Sequence, residues 1–435
     1  MKEQQSIPTS KVARSAKFVG TGIKIGGNYL KHYSKKLFDP TRDKEELNND
    51  NANDIYDSLS QLKGSALKIA QMLSMDKNML PKAYTDKFSL AQYNAPPLSG
   101  PLIVKTFTKY FGQTPDNIYD KFNLSAAHAA SIGQVHKAEL NGRKLAIKIQ
   151  YPGVGSSISS DLKLVKPFAF RLLGMSEKEL DIYMNEVEEK LLEETDYELE
   201  VKRSIQFSNA CAKLDNIVFP TYYPELSSRH IITMDWIEGL HLKEYLATNP
   251  TQEERNKIGQ ALWDFYNYQQ HELHAVHADP HPGNFLITPD GKLGVIDFGC
   301  IKEIPDDFYY PFFSLTTTSI LEDKEQTIAA FRKLEMIQDK DNPQQVEFYR
   351  AAYKEMIELF AQPYIKGTFD FSKPDYFDKM YAYGEKISKM PEFKQARGVK
   401  HFIYVNRTNF GLYNILHDLG ATVKTDTYKP TLHSN

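Results

Sequence analysis

The sequence predicts an α+β chain of two lobes behind a helical N-terminal extension. Three observations carry this. Strand-like segments joined by tight turns begin at Leu124 and recur to Met234. Helical periodicity occupies 55–73 before them and most of the chain after Leu240. Within that second helical part sits one short hairpin, from Phe285 to Ile296.

Bulk properties bound the function class. The 435 residues suffice for two or three domains, and 41% hydrophobic with 25% charged is ordinary for a folded chain. A formal charge of −3 argues for no nucleic-acid partner. Cys211 and Cys300 supply neither a disulfide framework nor a metal-ligand spacing, which suits a reducing cytosol. With no apolar run long enough to span a bilayer and no secretory signal, a membrane location would be peripheral, at the inner face.

Residues 1–52 form a basic extension in which Lys2, Lys11, Arg14, Lys17, Lys24, Lys31, Lys35 and Lys36 meet few acidic residues before Asp39. Val12, Ala16, Val19 and Ile23 fall at helical spacing, so the segment reads either as an amphipathic face for an anionic membrane surface or as a tail packed on its own protein. The run 48–54 reads as a polar linker capping the next helix. That helix, in 53–100, has a core-facing stripe of Ile55, Leu59, Leu62, Ala66, Ile69 and Leu73, with Lys68 and Gln71 off the stripe.

The small lobe is expected over 101–239. Ala126 to Gly133 is a small-residue turn, Gln134 to Leu140 a strand, Asn141-Gly142 a tight hairpin and Lys144 to Tyr151 the return strand. Strand alternation sets Lys148 with Ala146 and Gln150, away from Leu145, Ile147 and Ile149. A lysine so placed after a small-residue loop suits a nucleotide phosphate, against the plainer reading of an edge-strand lysine. Such a lysine needs a carboxylate, and the acidic helical region 177–210 offers Glu194, Asp196 and Glu200. Met234, Asp235 and Ile237 lie where the lobe ends, in a segment whose backbone would hold adenine.

The large lobe, 240–435, carries the chemistry. His277-Ala-Asp279-Pro-His-Pro-Gly-Asn284 leads into strand 285–287, the turn Pro289-Asp290-Gly291 and strand 293–296, ending in Asp297-Phe-Gly. Phosphoryl transfer uses these types in this order: Asp279 to orient the attacking oxygen, Asn284 and Asp297 to hold magnesium against the phosphates. A surface hairpin with ornamental turn residues would not need all three. A metal site from His277, Asp279 and His281 is weaker, because Pro280 and Pro282 shape that loop. No Ala-Pro-Glu follows, so the protein-substrate docking segment of ordinary protein kinases is missing. The aromatics of 305–420 read as core before lipid surface.

These residues together resemble the UbiB/AarF atypical kinase-like family of isoprenoid-quinone biosynthesis, from about Thr9 to Ala421. Lys68-Ile-Ala-Gln71 resembles its signature helix, with Ala70 in place of glycine. Ala129-Ala130-Ser131-Ile-Gly-Gln134 resembles its alanine-rich loop, with His128 in place of an alanine. Glu194-Thr-Asp196 resembles its Glu-x-Asp signature, and Glu200 matches the glutamate that pairs with Lys148. The resemblance implies a bilobal protein-kinase-like fold with the extension packed over the active site, and Lys68 and Gln71 near Glu194 and Asp196. It also implies ATP/ADP and Mg2+ as cofactors, and ATPase or small-molecule kinase activity on an isoprenoid quinone precursor or lipid. Quinone-biosynthesis enzymes would be partners. The alternative from another class is a nucleotide-gated scaffold for lipids or enzymes with little turnover.

Overall fold

The computed structural model describes residues 45–62, 98–130, 132–173, 177–393 and 397–430, with scattered positions before 98 (20, 21, 24, 25, 27, 28, 31, 32, 69, 84 and 87). It is a mixed helix-and-sheet chain in which helix dominates. Two compact units emerge: residues 1–202 with 221–236, and residues 203–220 with 237–435. These units divide at 236/237, and residues 203–220 belong to the second. Lys68, Gln71, Ala70 and Ser131 lie outside the described residues.

In the first unit, helix α1 spans Glu45–Leu62, so the 48–54 run is helix and not a linker. Asn and Asp are poor helix formers, and packing overrides that here. Asn51 and Ala52 are buried, and Asn28 Nδ2 donates to Asn51 Oδ1 at 3.1 Å and Asp54 Oδ2 at 2.8 Å. Lys24 and Lys31 approach Asp54 and Asp50 at 3.7 and 3.3 Å. Ile25 joins a core with Ile55, Tyr56, Leu59 and Ile69. For the described residues, the basic segment packs on its own chain. That core is completed by helices α3 (Val154–Leu173) and α4 (Glu177–Glu194), through Ile158, Leu162, Leu180 and Val187. Helix α2, Gly100–Phe111, precedes the sheet.

The sheet holds β1 (Lys121–Phe122), β2 (His128–Ala129), β3 (Gly133–Leu140), β4 (Arg143–Gln150) and β6 (Ile231–Asp235). Its order is β1-β3-β4-β6, with β2 also on β3. Asn141 and Gly142 turn β3 into β4 with φ of 52° and 75°, the double left-handed geometry that a two-residue hairpin requires. The alanine-rich loop is itself a hairpin: Ala129 pairs with Gln134, and Ala130 N–H donates to Gly133 O at 2.8 Å. Gly133 has no room for a side chain, since a Cβ would stand 2.5 Å from the Ile149 carbonyl.

Helix α5 (Tyr197–Cys211) carries the chain across the dividing line, and β5 (Ile217–Val218) belongs to the second unit. There β5 pairs in parallel with β9 (Leu293–Val295), which pairs antiparallel with β8 (Phe285–Ile287). Helix α6 (Gln252–Glu272) starts at Thr251, whose hydroxyl accepts from Glu254 N–H while the Glu254 carboxylate accepts from Thr251 N–H. Its last turns are buried on all sides, Asn267, Gln269 and Gln270 included. Strands β7 (Ala275–His277) and β10 (Ile301–Glu303) pair, as do β11 (Thr368–Asp370) and β12 (Thr422–Lys424). Helix α7, His401–Leu419, packs against α6, with Trp263 and Tyr413 stacked at 6.4 Å. Most aromatics of 305–420 are core, with Tyr381 and Phe410 exposed. No helix among the described residues is long and apolar enough to cross a membrane.

Candidate nucleotide and magnesium site residues

Lys148 sits mid-strand on β4, opposite Val135 and Ile232, so neighbours on both sides fix its direction. Its Nζ donates to Glu200 Oε1 at 2.6 Å and lies 5.2 Å from the centre of the Tyr197 ring. Both side chains are nearly buried. Of the three carboxylates offered by the sequence, the structure brings Glu200 to Lys148. Asp196 takes a different task there. Its Oδ1 accepts from Leu199 N–H at 3.1 Å and its carbonyl from Glu200 N–H at 3.0 Å, so it caps α5 one turn before Glu200. Glu194 closes α4, half-buried.

Gln134, in the loop that the resemblance sets beside the nucleotide, is fully buried. Its Oε1 accepts from Leu98 N–H at 2.7 Å, and its Nε2 meets His136 Nε2 at 2.8 Å. Burial lowers the His136 pKa, so the neutral ring can accept from Gln134 while Nδ1 donates to the Asn123 carbonyl. Gln134 braces the sheet. Ala129 and Ala130 stay half-exposed in the loop, and His128 stacks on Trp236 at 5.8 Å. Met234 is buried in β6. Asp235 has already committed its amide to Thr221 and its carboxylate to Tyr223 and Thr221. The Trp236 amide donates to Lys144.

In the second unit, β7 delivers the loop. His277 is fully buried, and its N–H donates to Gln269 Oε1 at 2.8 Å. His281 Nδ1 accepts from Gly283 N–H at 2.9 Å, so its ring shapes the turn. Among the described residues no cluster of three or more His, Cys, Asp or Glu could hold a metal. The Asn284 amide nitrogen donates to the Asp279 carbonyl at 2.9 Å and to its Oδ2 at 3.1 Å. Both bonds fix which end of the amide is oxygen. Ile296 N–H donates to the Asn284 carbonyl at 3.1 Å, which sets Asp297 beside Asn284 across the β8–β9 hairpin. Asp297 Oδ1 accepts from Gly299 N–H at 2.8 Å. One amide oxygen and one carboxylate are hard donors of the kind magnesium takes alongside phosphate and water. Tyr266 lies beneath, with its pKa raised well above the usual value by burial first and then by the charges of Asp279 and Cys300, so it stays neutral.

Two residues were missed. Gln269 holds the strand that leads to Asp279, and Arg407 on α7 reaches Asp279 Oδ1 with Nη2 at 3.4 Å. A glutamine on an apolar helix gives no sign of its partner. The signal for α7 was Gly411, a costly residue inside a helix.

This fold and these two groups of residues define a kinase-like protein. Residues 90–331 match the profile of the ABC1 atypical kinase-like domain, and the chain belongs to that family. It is 25% identical to a probable serine/threonine-protein kinase, abkA, of Dictyostelium discoideum, over 83% of this chain and 68% of that one. It is 31% identical to the mitochondrial atypical kinase COQ8 of Saccharomyces cerevisiae, over 74% of this chain and 66% of that one. An aarF domain-containing chloroplastic protein kinase of Arabidopsis thaliana is 30% identical, over 56% and 35%. The chain thus spans from about a third to two thirds of the length of these relatives. A Mycobacterium tuberculosis protein solved in complex with erythromycin aligns with a TM-score of 0.62 and 26% identity, over 88% of this chain and 95% of that one.

Proposed function

We propose that the chain is a magnesium-dependent ATP-binding protein of bilobal kinase type. Its activity would be ATP hydrolysis or phosphoryl transfer to a small molecule, in support of isoprenoid-quinone or lipid metabolism at a membrane surface. The observation that carries this reading is the joint geometry of Asp279, Asn284 and Asp297. One amide is pinned to the first carboxylate by its nitrogen, and the backbone of the same residue is bonded to the strand that presents the second. Lys148, oriented by Glu200, holds the phosphates. Asn284 and Asp297 hold magnesium, which when bound neutralises the charge spread over the transferring phosphoryl group. Asp279 orients the attacking hydroxyl or water through its carboxylate oxygens. Lys68, Gln71, Glu194 and Asp196 belong to the family signature and are proposed to close the site to protein substrates.

The quinone pathway is suggested by relatives named COQ8, and the membrane by the basic composition of residues 1–36. Purified full-length protein is expected to release phosphate from ATP only with Mg2+, and faster with anionic liposomes or an isoprenoid phenol. Nucleotide binding without turnover under all these conditions would instead identify a nucleotide-gated scaffold.

A further inference from the structure

Asp279 is held from two directions. Asn284 donates to Oδ2, and Arg407 approaches Oδ1, with the two ion-paired side chains only 22% and 15% exposed. Asn284 comes from the same loop. Arg407 comes from α7, 128 positions away and beyond the family profile, which ends at 331. The approach of α7 to the loop is built in. Gly411 lies one turn past Arg407 on the same helix face, and a Cβ there would stand 2.6 Å from Pro280 Cβ. Asn409 accepts from Gln270 at 3.1 Å, tying the same stretch of α7 to α6. Glycine lets α7 settle on Pro280 and brings a guanidinium to the carboxylate one residue earlier.

We propose that Arg407 is a positioning residue for Asp279, supplied by a C-terminal helix outside the family profile. This rests on the phosphoryl-transfer reading above. A carboxylate bound at one oxygen only can rotate about its Cβ–Cγ bond. A donor at each oxygen fixes its plane, and with it the direction in which a hydroxyl or water is held. At 3.4 Å the contact is longer than a tight charge-assisted bond, so Arg407 acts by Coulombic orientation across a poorly solvated gap. Nucleotide affinity, carried by Lys148, Asn284 and Asp297, does not depend on that orientation.

The test uses the full-length chain. Arg407→Met is expected to lower kcat for ATP hydrolysis by roughly 10- to 100-fold, the scale of a small misplacement of a reacting group. KM for ATP should stay within about twofold, since that group does not bind substrate. Arg407→Lys is expected to recover most of the loss, and Gly411→Ala, which forces α7 off Pro280, to reproduce the same split. Amide hydrogen exchange supplies a readout independent of turnover. In Arg407→Met it should accelerate in 278–284 while 258–266 and 412–419 keep their protection. Unchanged kcat in Arg407→Met, a parallel change in kcat and KM with general loss of protection, or unchanged exchange in 278–284 would each overturn the proposal. If the wild type binds MgATP without turnover, the phosphoryl-transfer reading fails and the exchange comparison alone decides whether Arg407 positions Asp279.

Discussion

Asp297→Asn should sharply weaken magnesium-dependent ATP binding while leaving the fold in place. The substitution keeps the shape and an oxygen able to accept from Gly299 N–H, the bond that orients the side chain at the hairpin end. It removes the negative charge that a divalent cation requires there. Magnesium-dependent affinity should fall by at least on the order of a hundredfold, the upper end of what losing a group one step further from a metal costs. The apo protein should melt within about a degree of wild type, as a near-isosteric change outside the core allows. Thermal-shift titration reads both numbers. A variant that MgATP still stabilises as well as wild type would remove Asp297 from the metal site.

Glu200→Gln should damage stability and binding together, for separable reasons. Lys148 and Glu200 are 11% and 6% exposed at the side chain, so the pair is shielded from water. Removing one member of a buried pair leaves a charge without its counterpart and costs about 3–5 kcal/mol. The lysine also loses the group that aims it, so ATP affinity should drop. The apolar double variant Lys148→Met/Glu200→Leu separates the effects. Two apolar side chains of similar volume should restore much of the melting temperature, whereas MgATP binding should stay lost. Binding by the double variant would show that Lys148 does not hold phosphate.

The parts of this site that were legible in the sequence are those fixed by short-range rules. The strand Phe285–Ile287 has the expected bounds, and Leu293–Val295 falls one residue short of the expected end. Turn residues and a period of two specify such a hairpin within a dozen positions. Asn141-Gly142 fixed the β3–β4 register in the same way, and with it the pairing of Lys148 with Val135. What stayed hidden depends on distant partners. Alternation put Gln134 on a definite face of β3 without saying that Leu98 and His136 cover that face. The Asn-rich run 48–54 has weak helix propensity, and its helical state depends on Asn28 and on burial against α3 and α4. Residues 203–220 join the second unit because β5 pairs with β9, about 75 positions further on, a parallel match that local pattern does not announce. Arg407 meets Asp279 only through the packing of α7 on Pro280.

The proposed chemistry depends on ATP held through magnesium by Asn284 and Asp297. Calorimetric titration of the purified full-length wild-type chain with ATP, with Mg2+ and again with chelator, tests it most directly. Saturable binding of one ATP per chain in magnesium, lost or greatly weakened on chelation, is the predicted result. No binding of MgATP, or equal binding in magnesium and in chelator, would contradict it.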